Sequence, residues 1–396
     1  MGGTSQTASA NRRQRRFVLA IALAAILPSL AEAYAVIWGA AQGFTGRALR
    51  DGLDFWAGGF LVLHHQVSMV FDPVAYQAFL SGAFSKLPTH MWSYPPNYLL
   101  LTTAFDWLPP WPAILTFDLT SLVFLIVILR LAQLPWLLVL AVATSPVALE
   151  NILEGQNAAL MTALIGGGLL LIDSRPRLAG ILIGLATIKP QLGLVLPLNL
   201  LRRSRLGFCA ALLAALALAG LSLIAFGPAA WSGFWHVTRP AMNNVLLTGQ
   251  PPAFAGGLIS VFAACRHLGV AQALAIQAIV SAAAILLAAR TKNPAVLLIL
   301  TALASPYLHD YDLLGVTLAV ALLMQDRMKN GFAPGEPLLF CLAWAGPGAM
   351  PWLPQIAHVT PLILLLLLAT AMRRDRLSPC DSRTAQPYLP ASSAGP

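Results

Sequence analysis

Residues 178–201 read LAGILIGLATIKPQLGLVLPLNLL, an apolar run with Arg175-Pro176-Arg177 before it and Arg202-Arg203-Ser204-Arg205 after it. Twenty-four such residues are long enough to span a bilayer, yet Lys189-Pro190 interrupts them and both flanks are basic. Either the segment crosses once against the charge rule, or it enters and returns as two half-helices. Non-helical backbone at that depth is tolerated only where protein or a cavity surrounds it.

The rest of the chain has the same character. Of its 396 residues 58% are hydrophobic and only 10% are charged, and the mean hydropathy is +0.74. A soluble domain carries roughly 25% charged residues, so this chain lacks the charge to cover a water-facing surface. Disorder, collagen and disulfide scaffolds are excluded with the soluble enzymes. Cys209, Cys265 and Cys341 lie in or beside apolar runs without CxxC spacing, and Cys380 lies in a polar tail, so no zinc site or disulfide framework is indicated. The net charge of +9 sits in short runs between apolar stretches. These are Arg12-Arg13-Gln14-Arg15-Arg16, the two runs around 178–201, Arg290-Thr291-Lys292, Arg327-Met328-Lys329 and Arg373-Arg374-Asp375-Arg376. That is the pattern of cytoplasmic anchors, not of a nucleic-acid surface.

The expected architecture is an all-α polytopic membrane protein with about 10–12 membrane segments and both termini cytoplasmic. Residues 1–16 form a basic N-terminus. Residues 17–376 form the membrane domain, and the Ser/Pro/Ala-rich stretch 377–396 forms a disordered cytoplasmic tail. The first apolar run, from Phe17 to about Ala41, ends near Ala31-Glu32-Ala33, which resembles a signal-peptide cleavage site. It continues through Tyr34-Ala35-Val36-Ile37-Trp38, however, and so reads as an uncleaved first span. Residues 42–93 are too polar to cross and form a long first outer loop. In that loop Phe55, Phe60, Leu63, Val67, Val70 and Phe71 recur at near-helical spacing, which predicts an amphipathic helix on the membrane surface.

Ionisable residues away from the anchors each cost several kcal/mol unless solvated or paired, and they mark the candidate site. Asp51 and Asp54 flank Gly52-Leu53 just past the first span. They read either as solvated loop carboxylates or as a general base beside aromatic rings that stack on a sugar. Phe71-Asp72-Pro73 has the character of a turn closing the surface helix. Trp92-Ser93-Tyr94-Pro95-Pro96-Asn97-Tyr98 is accounted for by interface anchors and helix punctuation. Glu150-Asn151-Ile152-Leu153-Glu154-Gly155-Gln156-Asn157 suits an outer or cavity-lining turn, or a helix cap. Lys189 requires an anion, either a carboxylate or a phosphate. His309, Asp310 and Asp312 are spaced too locally for a metal cluster. They suit carboxylates that orient a sugar hydroxyl or pair with a cation. Trp231, Trp235, His236, Arg239, Asn243 and Asn244 mark a second outer loop, accounted for mostly by an aromatic belt. No Walker A, GxSxG or HExxH sequence is present, so ATP-driven transport and hydrolase chemistry lack support.

In order along the membrane part, these stretches resemble glycosyltransferase family 87, the polyprenyl-phosphate-mannose-dependent mannosyltransferases of the C-type membrane glycosyltransferase fold. The resemblance rests on Asp54-Phe55, Phe71-Asp72-Pro73 with Tyr76, and Tyr94-Pro95-Pro96. It continues with Glu154-Gly155-Gln156-Asn157, Gly184 with Lys189-Pro190, and Ser305-Pro306-Tyr307 with Tyr311-Asp312-Leu313. The last stretch departs from the tryptophan-and-histidine version of other members, which leaves the acceptor and the sugar open.

The resemblance implies a polyprenyl-phosphate-linked sugar donor, a glycan or lipid acceptor and a bacterial inner membrane. It gives Asp54 the position of the catalytic Asp, with Asp51 a competitor. Base catalysis by Asp54 on an acceptor hydroxyl leaves charge on the departing lipid phosphate. Lys189, Arg239 and Arg47 are the candidate cations for that phosphate. Tyr94, Glu154, Gln156, Asn157, His309, Asp310 and Asp312 are the candidate sugar and acceptor contacts. No metal or other cofactor is expected, and a single acting carboxylate implies inversion. A transporter or flippase of an anionic solute is the alternative, as is a polymerase of lipid-linked glycans. The transferase needs Asp54, Glu154 and the 309–312 carboxylates in one cavity, whereas a transporter would line a central pore with Lys189.

Overall fold

The Lys189-Pro190 interruption turns the 178–201 segment back on itself. In the computed structural model, which describes residues 50–84, 90–249, 257–350, 353 and 355–377 and a few positions between 27 and 38, helix α1 spans Pro176–Leu185. A 3-10 turn over Ala186–Ile188 extends it. Pro190 has no N–H to donate and pushes its predecessor out of the helical region, and Lys189 accordingly takes φ −132°, ψ 71°. After a second 3-10 turn over Pro190–Gly193, α2 (Leu196–Arg203) brings the chain back. The return is fixed by Arg203, whose Nε and Nη2 donate to Asp173 Oδ1 and Oδ2 at 2.9 and 2.6 Å. Asp173 lies just before α1, so the segment enters and leaves at one end, as the two basic flanks require.

The next helix, α3 (Arg205–Gly233), packs along α1. Gly180 and Gly184 make this possible. A Cβ on Gly180 would lie 2.2 Å from the Gly207 carbonyl oxygen, and one on Gly184 would lie 2.3 Å from that of Ala211. Small residues four apart let two backbones meet inside a membrane, where no water drives association. α3 itself breaks at Gly227-Pro228, where Gly227 takes φ +75°.

Among the described residues, four helical stretches are long and apolar enough to cross a bilayer: 110–131, 205–248, 270–288 and 355–373. The pair 136–143 and 146–154, bent by 45°, would make a fifth span. On the first stretch Trp111, Leu115, Leu119, Val123 and Val127 are all exposed, an apolar stripe at every fourth residue that suits a lipid-facing side. Helices 158–171, 176–188 and 294–304 are shorter. At 1.5 Å per residue the first of these rises only about 21 Å, less than the ~30 Å of hydrocarbon core. Several apolar runs that read as separate spans are thus short helices packed inside the bundle. The protein is all-α and polytopic. Among the described residues no strand forms, only an isolated bridge between Leu258 and His309.

Two ends of the bundle are chemically distinct. Helix 158–171 starts at Asn157 and finishes at Asp173, and helix 294–304 starts at Asn293 and finishes at Ser305. At one end Arg203 Nη1 donates to the Lys292 carbonyl at 3.1 Å. Asn199 donates to the carbonyls of Ala288 and Thr291 at 2.7 and 3.0 Å. The basic runs at 175–177, 202–205 and 290–292 therefore gather there. Arg327, read as a surface anchor, is instead 2% exposed. It pairs with Asp326 and with Glu336 (3.0 Å), and donates to the Thr370 carbonyl.

Most of the first apolar run at 17–41, Arg47, Lys86 and the tail from 378 lie outside the described residues. Gly180→Leu, which forces a side chain into the Gly207 carbonyl, should destabilise the fold by about 1–3 kcal/mol or more. A lower unfolding temperature of the detergent-solubilised protein would show it.

Candidate active site

The opposite end is built on helix α4, Arg50–Leu63. It is not the half-solvated surface helix that its apolar spacing predicts. Asp51 through Gly59 are all buried, because the chain packs on every side of it. Its tail turns through 64–66, and Asp72 then caps a new helix over Pro73–Ala83. Asp72 Oδ1 accepts from Val74 and Ala75 N–H at 3.0 and 3.1 Å, so Phe71-Asp72-Pro73 opens a helix as well as ending a turn. The Tyr76 hydroxyl from that helix donates to the Asp54 backbone carbonyl.

The position of Asp51 and Asp54 depends on two glycines. Gly155 ends helix Pro146–Glu154 in the left-handed conformation, φ +68°. A Cβ on it would lie 2.8 Å from the Gly52 Cα. The two backbones touch there, and Gln156 Nε2 donates to Asp51 Oδ2 at 2.7 Å. Asn151 Oδ1 accepts from the N–H groups of Ala158 and Ala159 at 2.6 and 3.3 Å, which opens the next helix.

His90 lies between the two carboxylates. Its Nε2 is 3.3 Å from Asp51 Oδ1 and its Nδ1 is 3.9 Å from Asp54 Oδ1. Its backbone N–H donates to Gln77 Oε1 at 2.7 Å. Arg50 Nε adds a third contact to Asp51 at 3.0 Å. Burial alone would raise the Asp51 pKa, but the hydrogen bond from His90, the Arg50 charge and Gln156 hold it well below the usual carboxylate range. Asp54 has a sparser set, the Tyr76 hydroxyl and the more distant His90. Its Oδ1 is buried and takes no hydrogen bond, and burial pushes its pKa up to about 7, with the His90 charge opposing.

Trp92, Tyr94 and Tyr98, expected as interface anchors, are buried around Phe55 with ring centroids at 6.5, 5.2 and 5.0 Å. Gly58 leaves the space that Trp92 fills. The aromatic cluster packs against α4 and holds Asp54 from behind.

Lys189, at the tip of the re-entrant turn, has found a carboxylate. Its Nζ is 2.6 Å from Asp312 Oδ1, with the two side chains 3% and 0% exposed. Asn157 Oδ1 at 3.5 Å and the Tyr311 ring at 4.7 Å complete its surroundings. Asp312 Oδ2 also accepts the His309 N–H at 3.2 Å, and Asp310 Oδ1 accepts that of Tyr311 at 3.0 Å. The His309 ring stacks on Tyr311 at 5.2 Å. Burial lowers the His309 pKa to about 4, with Asp312 opposing.

These elements enclose a cavity of about 440 Å³. Of the candidate residues, Asp51, Asp54, Tyr94, Glu154, Gln156, Lys189, His309 and Asp310 line it. Asn157 and Asp312 stand behind the wall, on Lys189. Arg239 is not brought there. It is exposed, with its guanidinium 4.9 Å from the Trp235 ring. Sequence reasoning missed His90 and Arg50, both of which line the cavity. Arg50 was visible beside Asp51, whereas no spacing links His90 to either carboxylate. Among the described residues, no group of three or more His, Cys, Asp or Glu side chains is placed to hold a metal ion.

Asp54, Glu154 and Asp310 thus share one cavity, as a transferase requires, and Lys189 is engaged in an ion pair. The sequence pattern of glycosyltransferase family 87 matches residues 92–307, just over half of the chain. The chain belongs to glycosyltransferase family 87. It is a membrane glycosyltransferase, moving a sugar from a donor to an acceptor. Neither a curated protein nor a solved structure matches it significantly. The family 87 match begins at Trp92, so Asp51, Asp54 and His90 lie outside it. They join the matched part through the Gly52–Gly155 crossing and the Asp51–Gln156 bond.

Removing one partner of the buried Lys189–Asp312 pair should cost about 3–5 kcal/mol. Lys189→Met and Asp312→Leu should each lower the unfolding temperature strongly. The double variant Lys189→Met with Asp312→Leu should lose less than the sum, which thermal unfolding of the three proteins checks.

Proposed function

We propose that this enzyme transfers a hexose, mannose by preference, from a polyprenyl-phosphate-linked donor to an acceptor hydroxyl with inversion, and that Asp54 is the base. The observation that carries this reading is the contrast between two neighbouring carboxylates. Asp51 is saturated by Arg50, His90 and Gln156, whereas Asp54 presents a buried oxygen with no hydrogen bond to the same cavity. A carboxylate held near neutrality is matched to proton abstraction at physiological pH.

The acceptor oxygen attacks the anomeric carbon as its proton passes to Asp54, and the bond from that carbon to the phosphate oxygen breaks. Charge appears on the departing lipid phosphate. Arg50 is the cation best placed to meet it, because its side chain is 20% exposed on the cavity while Lys189 is buried against Asp312. The planar guanidinium suits phosphate oxygens. Lys189 then acts by holding the 309–312 turn, and Arg47 is the second choice. Glu154, Gln156, His309, Asp310 and Tyr94 are positioned to orient sugar and acceptor hydroxyls. A monophosphate leaving group met by protein cations needs no metal.

The gathering of basic runs at the end remote from the cavity supports a cytoplasmic assignment for that end. By the same rule the cavity opens to the outer face of a bacterial inner membrane, where a lipid-linked donor presents its sugar.

Transfer of label from polyprenyl-phosphate-mannose in membranes tests the reading. Asp54→Asn at matched expression should lower transfer by about 10²–10⁴-fold; equal transfer by both proteins would remove Asp54 from the mechanism. The acid limb follows from the same assignment. The base must be unprotonated, so kcat/KM should rise about tenfold per pH unit below the Asp54 pKa of about 7 and level off above it.

A further inference from the structure

A base that takes a proton at every turnover has to lose it again, and Asp54 is 2% exposed with only the cavity on one side and packed aromatic rings on the other. From a different chain segment the His90 ring faces the Asp54 carboxylate, with Nδ1 3.9 Å from Oδ1. We propose that His90 receives the proton from Asp54 after sugar transfer, and that Asp51 is the fixed anion that holds the resulting imidazolium. This rests on the assignment of Asp54 as base.

The geometry is that of a ring held between two carboxylates. Nδ1 faces Asp54 Oδ1 at 3.9 Å and Nε2 faces Asp51 Oδ1 at 3.3 Å. The Asp51 side is the anchored one, since Arg50 and Gln156 fix that carboxylate and the Gly52–Gly155 contact fixes its helix. The Asp54 side is loose, and catalytic hydrogen bonds are often long before substrate binds. His90 itself is pinned through its backbone to Gln77 and lines the cavity, so it stands beside the base and on the cavity wall. His90 is therefore a positioning residue for Asp54.

The step balances without a further reactant. The acceptor O–H bond breaks, its oxygen bonds the anomeric carbon, and the pair from the anomeric C–O bond leaves with the lipid phosphate. The proton on Asp54 moves to His90 Nδ1, Nε2–H stays bonded to the Asp51 carboxylate, and the imidazolium releases the proton to cavity water. Asp54 is again a carboxylate.

The groups facing Asp54 are His90, Asp51 and Arg50 with Tyr76, and Glu154 lines the same cavity. Of these, His90 is the one with a ring nitrogen facing the Asp54 Oδ1, at 3.9 Å. Two readouts follow. In the transfer assay with polyprenyl-phosphate-mannose, His90→Gln should lower kcat by about 10²-fold, the low end of a positioned proton acceptor, with donor KM within about twofold. His90→Ala should recover rate in proportion to added imidazole.

The second readout needs no donor. Infrared titration of the Asp54 carboxyl, assigned with Asp54→Asn, should move to higher pH in His90→Gln. Wild-type kcat in His90→Gln, or a loss that imidazole leaves untouched while the Asp54 titration stays in place, overturns the relay. Absence of transfer by the wild type, with the infrared shift present, would overturn the donor assignment and leave the His90–Asp54 coupling standing.

Discussion

At the crossing of Gly52 and Gly155 two backbones touch, and the candidate site exists because they do. A side chain on either residue would separate helix 50–63 from the end of helix 146–154. Asp51 would lose Gln156, and with it the arrangement in which one carboxylate is saturated and its neighbour is not. Gly155 must also take a left-handed backbone to end its helix, a conformation that costs other residues roughly 1–2 kcal/mol. One residue thus meets a conformational and a steric demand together.

Around that contact the protein separates its charges by end. Basic residues are tied to one another's loops at the far end by Arg203, Asp173 and Asn199. The carboxylates gather at the cavity with Arg50, Lys189 and His90 among them. Burying charge is costly unless it is paired and hydrogen-bonded. Lys189 and Asp312 satisfy that condition, and so does Asp51. Asp54 has only His90 at 3.9 Å and the Tyr76 hydroxyl beside its carboxylate, and a buried carboxylate so sparsely partnered in a cavity is where proton chemistry is expected.

The membrane class was fully legible, because 10% charge and a mean hydropathy of +0.74 leave no soluble solution. The residues of the site were largely legible too. An ionisable group in an apolar chain needs a reason, and that rule picked out Asp51, Asp54, Glu154, Lys189, His309 and Asp310, all of which line one cavity. The rule failed where its premise did. Arg239 was a candidate cation for the phosphate but does not line the cavity. Trp92 and Tyr94 looked like interface anchors, and Phe55 and Phe60 like one face of a surface helix, because composition does not tell lipid from protein as the apolar partner.

Local order along the chain therefore determined the class, the polar residues that matter and the break at Lys189-Pro190. Those depend on transfer energies and backbone preferences that each residue carries with it. Tertiary structure alone decided that Lys189 meets Asp312, that His90 stands between Asp51 and Asp54, and that Asp54 keeps a buried oxygen without a hydrogen bond. Those facts are distances between segments far apart in sequence, set by how closely glycines let helices approach. No spacing within one segment records them.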